Sequence, residues 1–94
     1  MQTKWLRRAL ANLEAEAAYI SRDNPAAAGR VVEAIATAVE RLQQYPAMGR
    51  PGRVAGTREL VVTGTPYIVP YRVRGDTVQL LRVFHAARKW PTHF

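Results

Sequence analysis

The apolar residues at the start of the chain recur every three or four positions, as they do along one face of a helix. A first helix is predicted from about residue 6, with this apolar stripe: Leu6, Leu10, Leu13, Ala17 and Ile20. A polar break at 21–24 follows. In it, Asn24 or Asp23 is a suitable N-cap, and Pro25 suits the first position of a second helix.

The second predicted helix runs from about Pro25 to Gln44. It ends at Tyr45-Pro46, because a residue before proline disfavours the α conformation. Its apolar stripe contains Val32, Ile35, Val39 and Leu42. A link of about four residues makes two helices antiparallel neighbours, so a helical hairpin is expected over about 6–44.

The second half of the chain alternates β-branched and aromatic residues with glycine and proline. A loop is expected over 45–56, strands over about 57–63, 67–74 and 77–84, and a tail over 85–94. Short links at 64–66 and 75–76 make these strands an antiparallel meander. Residues 2–5 are too few to assign, although they could add a short edge strand.

The apolar stripe of the helical hairpin needs a surface to cover it, and one face of this sheet is the available one. The predicted fold class is therefore α+β, with a two-helix antiparallel hairpin packed on a three- to four-stranded antiparallel sheet. A chain of 94 residues is expected to form one domain with a thin two-layer core.

Composition narrows the classes of function. The sequence has no cysteine, which excludes a disulfide scaffold and a thiolate zinc site, and its only histidines are His85 and His93. We therefore expect neither a metal nor another cofactor. No segment approaches the roughly 20 apolar residues of a membrane span, and the expected location is the cytoplasm.

The net charge of +7 is concentrated in the second half of the chain. Residues 1–46 carry six basic and five acidic side chains, whereas residues 47–94 carry eight basic and two acidic ones. This polarity favours an anionic partner, either nucleic acid or an acidic protein segment. The alternative is a basic protein whose arginines are simply solvated.

Arginines on neighbouring predicted strands are the candidates for contact with such a partner. Arg58, Arg72 and Arg82 could line one face and grip phosphates, or they could be solvated on the open side of the sheet. His85 closes the last predicted strand, where a lone histidine is usually structural. Its alternative role is that of a general acid or base beside these arginines.

Other motifs have structural interpretations. The glycines at 49, 52 and 56 superficially suggest a phosphate loop, but no Gly-Lys-Ser/Thr follows them, so a structural loop is predicted. The tripeptide at 74–76 is predicted to be a hairpin turn. Tyr67 and Tyr71 share a strand face, and one of them is a candidate for a solvent-facing position.

Several segments in a characteristic order carry a family resemblance: Trp5 to Leu13, Tyr19-Ile20 before an Asp-Asn-Pro turn, and residues 45–50, 56–60, 67–72 and 81–88. Over nearly its whole length the chain resembles the RelE/ParE superfamily of toxins from type II toxin–antitoxin modules. The fold that this resemblance implies is the helical hairpin on an antiparallel sheet expected above.

The resemblance implies one of two activities. RelE-like members cut mRNA in the ribosomal A site, whereas ParE-like members poison DNA gyrase and lack the catalytic set. This chain has Ile68 where RelE-like enzymes carry an arginine after an aromatic residue, has no tyrosine after the sheet, and ends in a ParE-like manner from His85. We therefore favour a ParE-like toxin of a plasmid-stabilisation module over the ribosome-dependent endonuclease. A third hypothesis is an inactivated toxin that only binds an antitoxin or nucleic acid.

The resemblance also implies a partner, a cognate ParD-like antitoxin with an acidic tail that folds on the toxin. The residues expected to bind the antitoxin are Leu10, Leu13, Ala17, Val39 and Leu42. The residues expected to bind the target are Arg58, Arg72, Arg82, His85, Arg88 and Lys89. In the nuclease alternative, the first four of these target-binding residues would be catalytic.

Overall fold

A computed structural model describes residues 1–88, Trp90 and Phe94. Lys89, one of the expected target-binding residues, and His93 lie outside the described residues. The elements are β1 (Gln2–Trp5), α1 (Arg7–Ser21), α2 (Pro25–Arg41), β2 (Arg50–Pro51), β3 (Arg58–Val61), β4 (Tyr67–Arg74), β5 (Thr77–Leu80) and β6 (Phe84–His85). The predicted α+β class, with a helical hairpin packed on a sheet, is confirmed, although the sheet has six strands instead of three or four.

The helices form where local signals placed them. The Oδ1 atom of Asn24 accepts a hydrogen bond from the Ala27 N–H at 3.0 Å, and Pro25 occupies the start of α2. This bond satisfies one of the N–H groups at the helix start that have no partner within the helix. Proline suits this position because the N–H that it lacks would have had no partner there. Helix α2 ends at Arg41, three residues before the predicted end, and continues as turns to Gln44.

The strand order is β1-β5-β4-β3-β2, and β6 also pairs with β4. Residues 2–5 do form an edge strand, but it runs parallel to β5, with Lys4 opposite Gln79. The prediction of a wholly antiparallel sheet was therefore wrong at this edge. The chain between the two strands, which contains α1, α2 and strands β2 to β4, provides the long connection that a parallel pair requires.

The third predicted strand, 77–84, was wrong as a continuous element because it divides into β5 and β6. Tyr71 lies opposite Leu80 while Ile68 lies opposite Phe84, so one extra residue is inserted between β5 and β6, as in a β-bulge. Pro70 explains the break. Its carbonyl accepts from the Leu81 N–H at 2.9 Å, but proline has no N–H to donate in return.

The two faces of the sheet differ in what covers them. We call the face that carries Tyr67, Val69 and Tyr71 the helix face, because these residues are buried with residues of α1 and α2 in one core. The opposite face, which carries Ile68, Pro70, Arg72 and Arg74, is called the open face. The core contains Ala9, Ile35, Val39, Leu42, Leu60, Val62, Tyr67, Val69, Tyr71, Val78, Leu80 and Val83.

Both tyrosines of β4 are enclosed in this core, so the expectation that one of them faces solvent was wrong. The Tyr71 hydroxyl donates to the Pro46 carbonyl at 2.7 Å and accepts from the Gly49 N–H at 2.9 Å. The loop after α2 is thereby attached to the centre of the sheet. Burial raises the pKa of Tyr71 above its usual value.

Two glycines illustrate why the loop and the turn need residues without a side chain. A Cβ at Gly49 would lie 2.6 Å from the Tyr71 ring, which leaves no room for a side chain. Gly75 has a φ of 60° in the turn between β4 and β5, a conformation that glycine adopts without strain. Within the described residues, neither helix has the length and apolarity needed to cross a membrane.

Candidate binding surfaces

The predicted target-binding residues lie on both faces of the sheet. Arg58 is opposite Tyr71 in the register and so belongs to the helix face. Its Nη1 donates to the carbonyls of Gly49 at 2.9 Å and Ala47 at 3.3 Å, and it thereby anchors the loop after α2. The hypothesis that Arg58 shares a face with Arg72 was therefore wrong, because the strand register places them on opposite sides.

One end of the open face is covered by aromatic side chains that include Phe84 and Trp90. The Trp90 ring lies 4.7 Å from that of Phe84, and the Arg53 guanidinium lies 3.9 Å above the Trp90 ring in a cation–π contact. Beneath this cover, Ile68 and Pro70 are buried. This covered end is apolar, which explains why the sheet needs more than the helical hairpin to shield it from water.

A buried carboxylate fixes the loop that supplies Arg53. Glu59 is only 2% exposed, and its Oε2 accepts from the Arg53 N–H at 2.9 Å. Its Oε1 accepts from Arg50 Nε at 3.0 Å. These charge-assisted bonds compensate for the burial of the charge. Arg50 and Arg53, both outside the predicted site, therefore have structural partners.

The other end of the open face has no such cover, and we call it the polar end. Strand pairing brings together its six side chains, Gln2, Lys4, Arg72, Arg74, Thr77 and Gln79. Arg72 Nε donates to the Gln79 Oε1 at 2.7 Å. Of the predicted target-binding set, Arg72 is the member that lies here.

Arg82 follows the bulge and is separated from Arg72 along the sheet. Its Nη1 donates to the Leu81 carbonyl at 3.1 Å, the carbonyl that Pro70 cannot bond. Its guanidinium also lies 5.5 Å from the Phe94 ring. Burial and, to a smaller extent, the positive charge of Arg8 lower the pKa of Arg82. Arg82 therefore supplies the hydrogen-bond donor that Pro70 lacks at the break in the sheet.

His85 and Arg88 line a cleft on the helix side, which we call the aromatic cleft. Its volume is about 430 Å³, and it is lined by Tyr19, Ile20, Val31, Pro66, Tyr67, His85, Ala87 and Arg88. The His85 ring meets that of Tyr67 edge-on at 5.6 Å. Its Nδ1 accepts a hydrogen bond from the Ala87 N–H at 3.2 Å.

Glu16, which was absent from the predicted sites, joins the aromatic cleft to α1. It accepts hydrogen bonds from the Tyr67 hydroxyl at 3.0 Å and from Arg88 Nη1. Burial, followed by the hydrogen bond to Glu16, raises the pKa of Tyr67 to about 12. The bond to Glu16 also raises the pKa of Arg88. The available signal was the spacing of Glu16 from Leu13 and Ile20, which puts a carboxylate beside the apolar stripe.

The residues predicted to bind an antitoxin divide into two groups. Leu10 is 45% exposed, and Leu13 and Ala17 are half-buried along α1. In contrast, Val39 and Leu42 are 3% and 0% exposed, so the core already encloses them and they offer no surface to a second chain. Their place in the predicted interface is therefore corrected, because the stripe of α2 packs against the sheet.

Exposed apolar side chains that were not predicted extend the helix-side surface. Tyr19 projects from α1, while Tyr45 and Met48 lie just after the end of α2. A groove of about 500 Å³ also runs between α1 and α2, lined by Ala17, Ala18, Ser21, Ala28, Gly29, Val32 and Glu33. Because most of the lining residues are small, the backbone of another helix can approach this groove closely.

Comparisons with known proteins identify the family. Residues 3–90 match the model of the family described as ParE toxin of type II toxin–antitoxin system, parDE. A Sinorhizobium fredii (strain NGR234) protein bearing the toxin name Y4kP is 53% identical over 88 residues, which cover 94% of this chain and 91% of that protein. Toxin RelE2 of Caulobacter vibrioides is 42% identical over 87 residues, covering 93% and 97%, respectively.

Among solved structures, the chromosomal ParDE toxin–antitoxin system from P. aeruginosa contains a chain with the same fold. The TM-score is 0.84 at 35% identity, covering 90% of this chain and 95% of that one. An antitoxin partner follows from membership of a toxin–antitoxin family. By sequence and by fold, the chain belongs to the ParE toxin family of type II toxin–antitoxin systems.

Proposed function

We propose that this toxin inhibits DNA gyrase in the cytoplasm and is neutralised by a cognate ParD-like antitoxin, as part of a plasmid-stabilisation module. The observation that carries the proposal is the separation of the residues that a RelE-like nuclease would need to combine. Arg72 is on the open face, His85 is on the helix side, and Arg58 is engaged by loop carbonyls. The match to the ParE family model supports the same branch.

This separation matters because phosphodiester cleavage needs its groups around one substrate. A general acid or base must lie within hydrogen-bond reach of the reacting atom, while cations stabilise the developing charge. His85 and Arg72 face opposite sides of the sheet, so they do not surround a common phosphate. A protein that inhibits by binding needs only a complementary surface, and this arrangement supplies one.

The helix side is the proposed docking surface for the antitoxin. Leu10, Leu13 and Ala17 lie along α1, and the groove between the helices continues from Ala17. An amphipathic helix binds such grooves through apolar residues spaced by three and four positions.

Gyrase inhibition is tested by supercoiling of relaxed plasmid DNA with purified toxin, with and without the antitoxin. We expect the toxin to block supercoiling and to trap cleaved DNA, and the antitoxin to restore activity. Unimpaired supercoiling at near-stoichiometric toxin contradicts the proposal. If expression without the antitoxin also left growth unhindered, an inactivated toxin would be the better description.

A second candidate, ribosome-dependent mRNA cleavage, is favoured by the relative named RelE2 and by the proximity of His85 to Arg88 in the aromatic cleft. It predicts codon-phased cleavage of mRNA on ribosomes, abolished by His85→Ala or Arg82→Ala. Intact mRNA on stalled ribosomes in the presence of toxin excludes this candidate.

A further inference from the structure

We infer that the polar end of the open face binds the phosphate backbone of duplex DNA. Three cationic side chains, Lys4, Arg72 and Arg74, converge there from β1 and β4. Lys4 and Arg74 were not among the predicted target-binding residues. Their separation in sequence hid the arrangement, which depends on the parallel pairing of β1 with β5.

The register places these cations at spacings that suit a charged polymer. Lys4, Gln79 and Arg72 stand in one row across three neighbouring strands, so the outer two are about 10 Å apart at the backbone. Arg74 follows Arg72 on the same face of β4, about 7 Å along the strand. A short stretch of phosphate backbone spans all three positions.

These cations are available to a ligand. Within the part of the chain that the structure describes, the ion pairs involve Arg50, Arg53 and Arg88 but none of these three. Lys4 and Arg74 are exposed. Arg72 is partly buried, and its Nε bond to Gln79 orients the guanidinium. Asp76 in the adjoining turn offsets only one of the three positive charges, so the local charge stays positive.

The composition of the polar end favours nucleic acid over a protein partner. Each of its six side chains is polar, whereas a protein–protein interface has an apolar centre. Gln2, Thr77 and Gln79 add amide and hydroxyl groups, which commonly accompany arginine and lysine at phosphates. The apolar half of the open face is already covered by Trp90 and Phe84, so it supplies no such centre.

If the proposed gyrase inhibition holds, this surface would contact the DNA held in the gyrase cleavage complex. Other parts of the toxin would then be left to contact the enzyme. This role rests on the proposed function, whereas DNA binding itself does not.

The test is binding of a short fluorescein-labelled DNA duplex, followed by fluorescence anisotropy over a range of salt concentrations without gyrase. The toxin is compared with the double variant Arg72→Gln/Arg74→Gln. The matched control, Arg22→Gln/Arg30→Gln, removes the same charge from exposed positions on the helix side. Circular dichroism and thermal unfolding of each protein establish that it is folded.

Neutralising about three phosphates gives a slope of about −3 for log affinity against log salt. We expect Arg72→Gln/Arg74→Gln to weaken binding by about tenfold or more and to reduce the slope by about two. The control should keep most of the affinity. Lys4→Gln, at the edge strand, should reduce the slope by about one.

Equal affinity of the toxin and the double variant would overturn the inference, as would an equal loss in the control. Polyglutamate that competes as well as unlabelled duplex would also overturn it, because the surface would then recognise acidic protein. A failed supercoiling assay would bear on the proposed function alone, since gyrase is absent from the binding measurement.

Discussion

The hydroxyl of Tyr71 illustrates how single atoms position the loops of this toxin. It bonds the Pro46 carbonyl and the Gly49 N–H, while Arg58 bonds the carbonyls on either side of Met48. The aromatic residue and the arginine were visible in the sequence, but their partners were not. Glu16 was missed for the same reason, since its contacts with Tyr67 and Arg88 join distant parts of the chain.

Gly49→Ala is expected to destabilise the toxin by about 2 kcal/mol, because the added methyl group overlaps the buried Tyr71 ring. The control is Gly29→Ala in α2, where a Cβ meets nothing within 4 Å. This control should raise stability by up to about 1 kcal/mol, since alanine favours the helix. Urea unfolding measures both changes. Equal stability of the two variants would contradict the steric account of Gly49.

Tyr67 makes stability depend on pH in the alkaline range. Its pKa rises from 10.0 in the unfolded chain to about 12 in the folded protein, so the folded state holds the proton more tightly. The associated stability, on the order of 2 kcal/mol, is fully present below pH 10 and is lost as the pH rises towards about 12. Tyr67→Phe removes this titration.

The measurement is urea unfolding of the toxin and of Tyr67→Phe across that pH range. The difference in unfolding free energy between the two proteins should shift in favour of Tyr67→Phe as the pH increases. A difference that is independent of pH would mean that folding does not raise the pKa of Tyr67.

At the scale of elements, predictability follows the range of the determining contacts. The start of α2 was predictable because Asn24 and Pro25 act within one helical turn. The parallel pairing of β1 was not, because Lys4 and Gln79 meet only in the folded sheet. The bulge was unexpected although Pro70 was visible, since its effect depends on pairing with Leu81. The faces occupied by Arg58 and Arg72 likewise required the register.

The N-cap of α2 provides a test at this scale. Asn24→Ala should lower the unfolding free energy by about 1 kcal/mol, because the Ala27 N–H loses its acceptor. Asp23→Ala, at the neighbouring exposed position, is the control and should change stability by less than about 0.5 kcal/mol. Chemical unfolding followed by circular dichroism measures both. A larger loss for Asp23→Ala would show that Asp23, and not Asn24, caps the helix.

At the scale of the whole molecule, the helical hairpin and the open face are separate surfaces. The helix side combines apolar side chains with a groove between α1 and α2, whereas the polar end combines cations with amides. The strong charge of the second half of the chain suggested an anionic partner. It did not show that Arg53 and Arg58 are engaged within the domain, while Lys4 from the first half joins the polar end.

The proposed antitoxin surface predicts a difference between two positions on α1. Leu10→Asp should weaken antitoxin binding at least about tenfold, since it places a carboxylate in an apolar contact. Ala11→Asp, at the adjoining exposed position on a different side of the helix, is the matched control. Isothermal titration of each folded variant with the antitoxin measures the effect. Equal affinities would place the antitoxin elsewhere.

The parallel pairing of β1 also affects when the protein can fold during synthesis. Residue 2 joins the sheet beside residue 77, so this edge cannot form until the ribosome has released most of the chain. Pairings between such distant residues form late because the intervening loop must first close. A toxin with this connectivity gains its complete surface only once β5 has left the ribosome, which gives an antitoxin already present in the cell the opportunity to bind it at once.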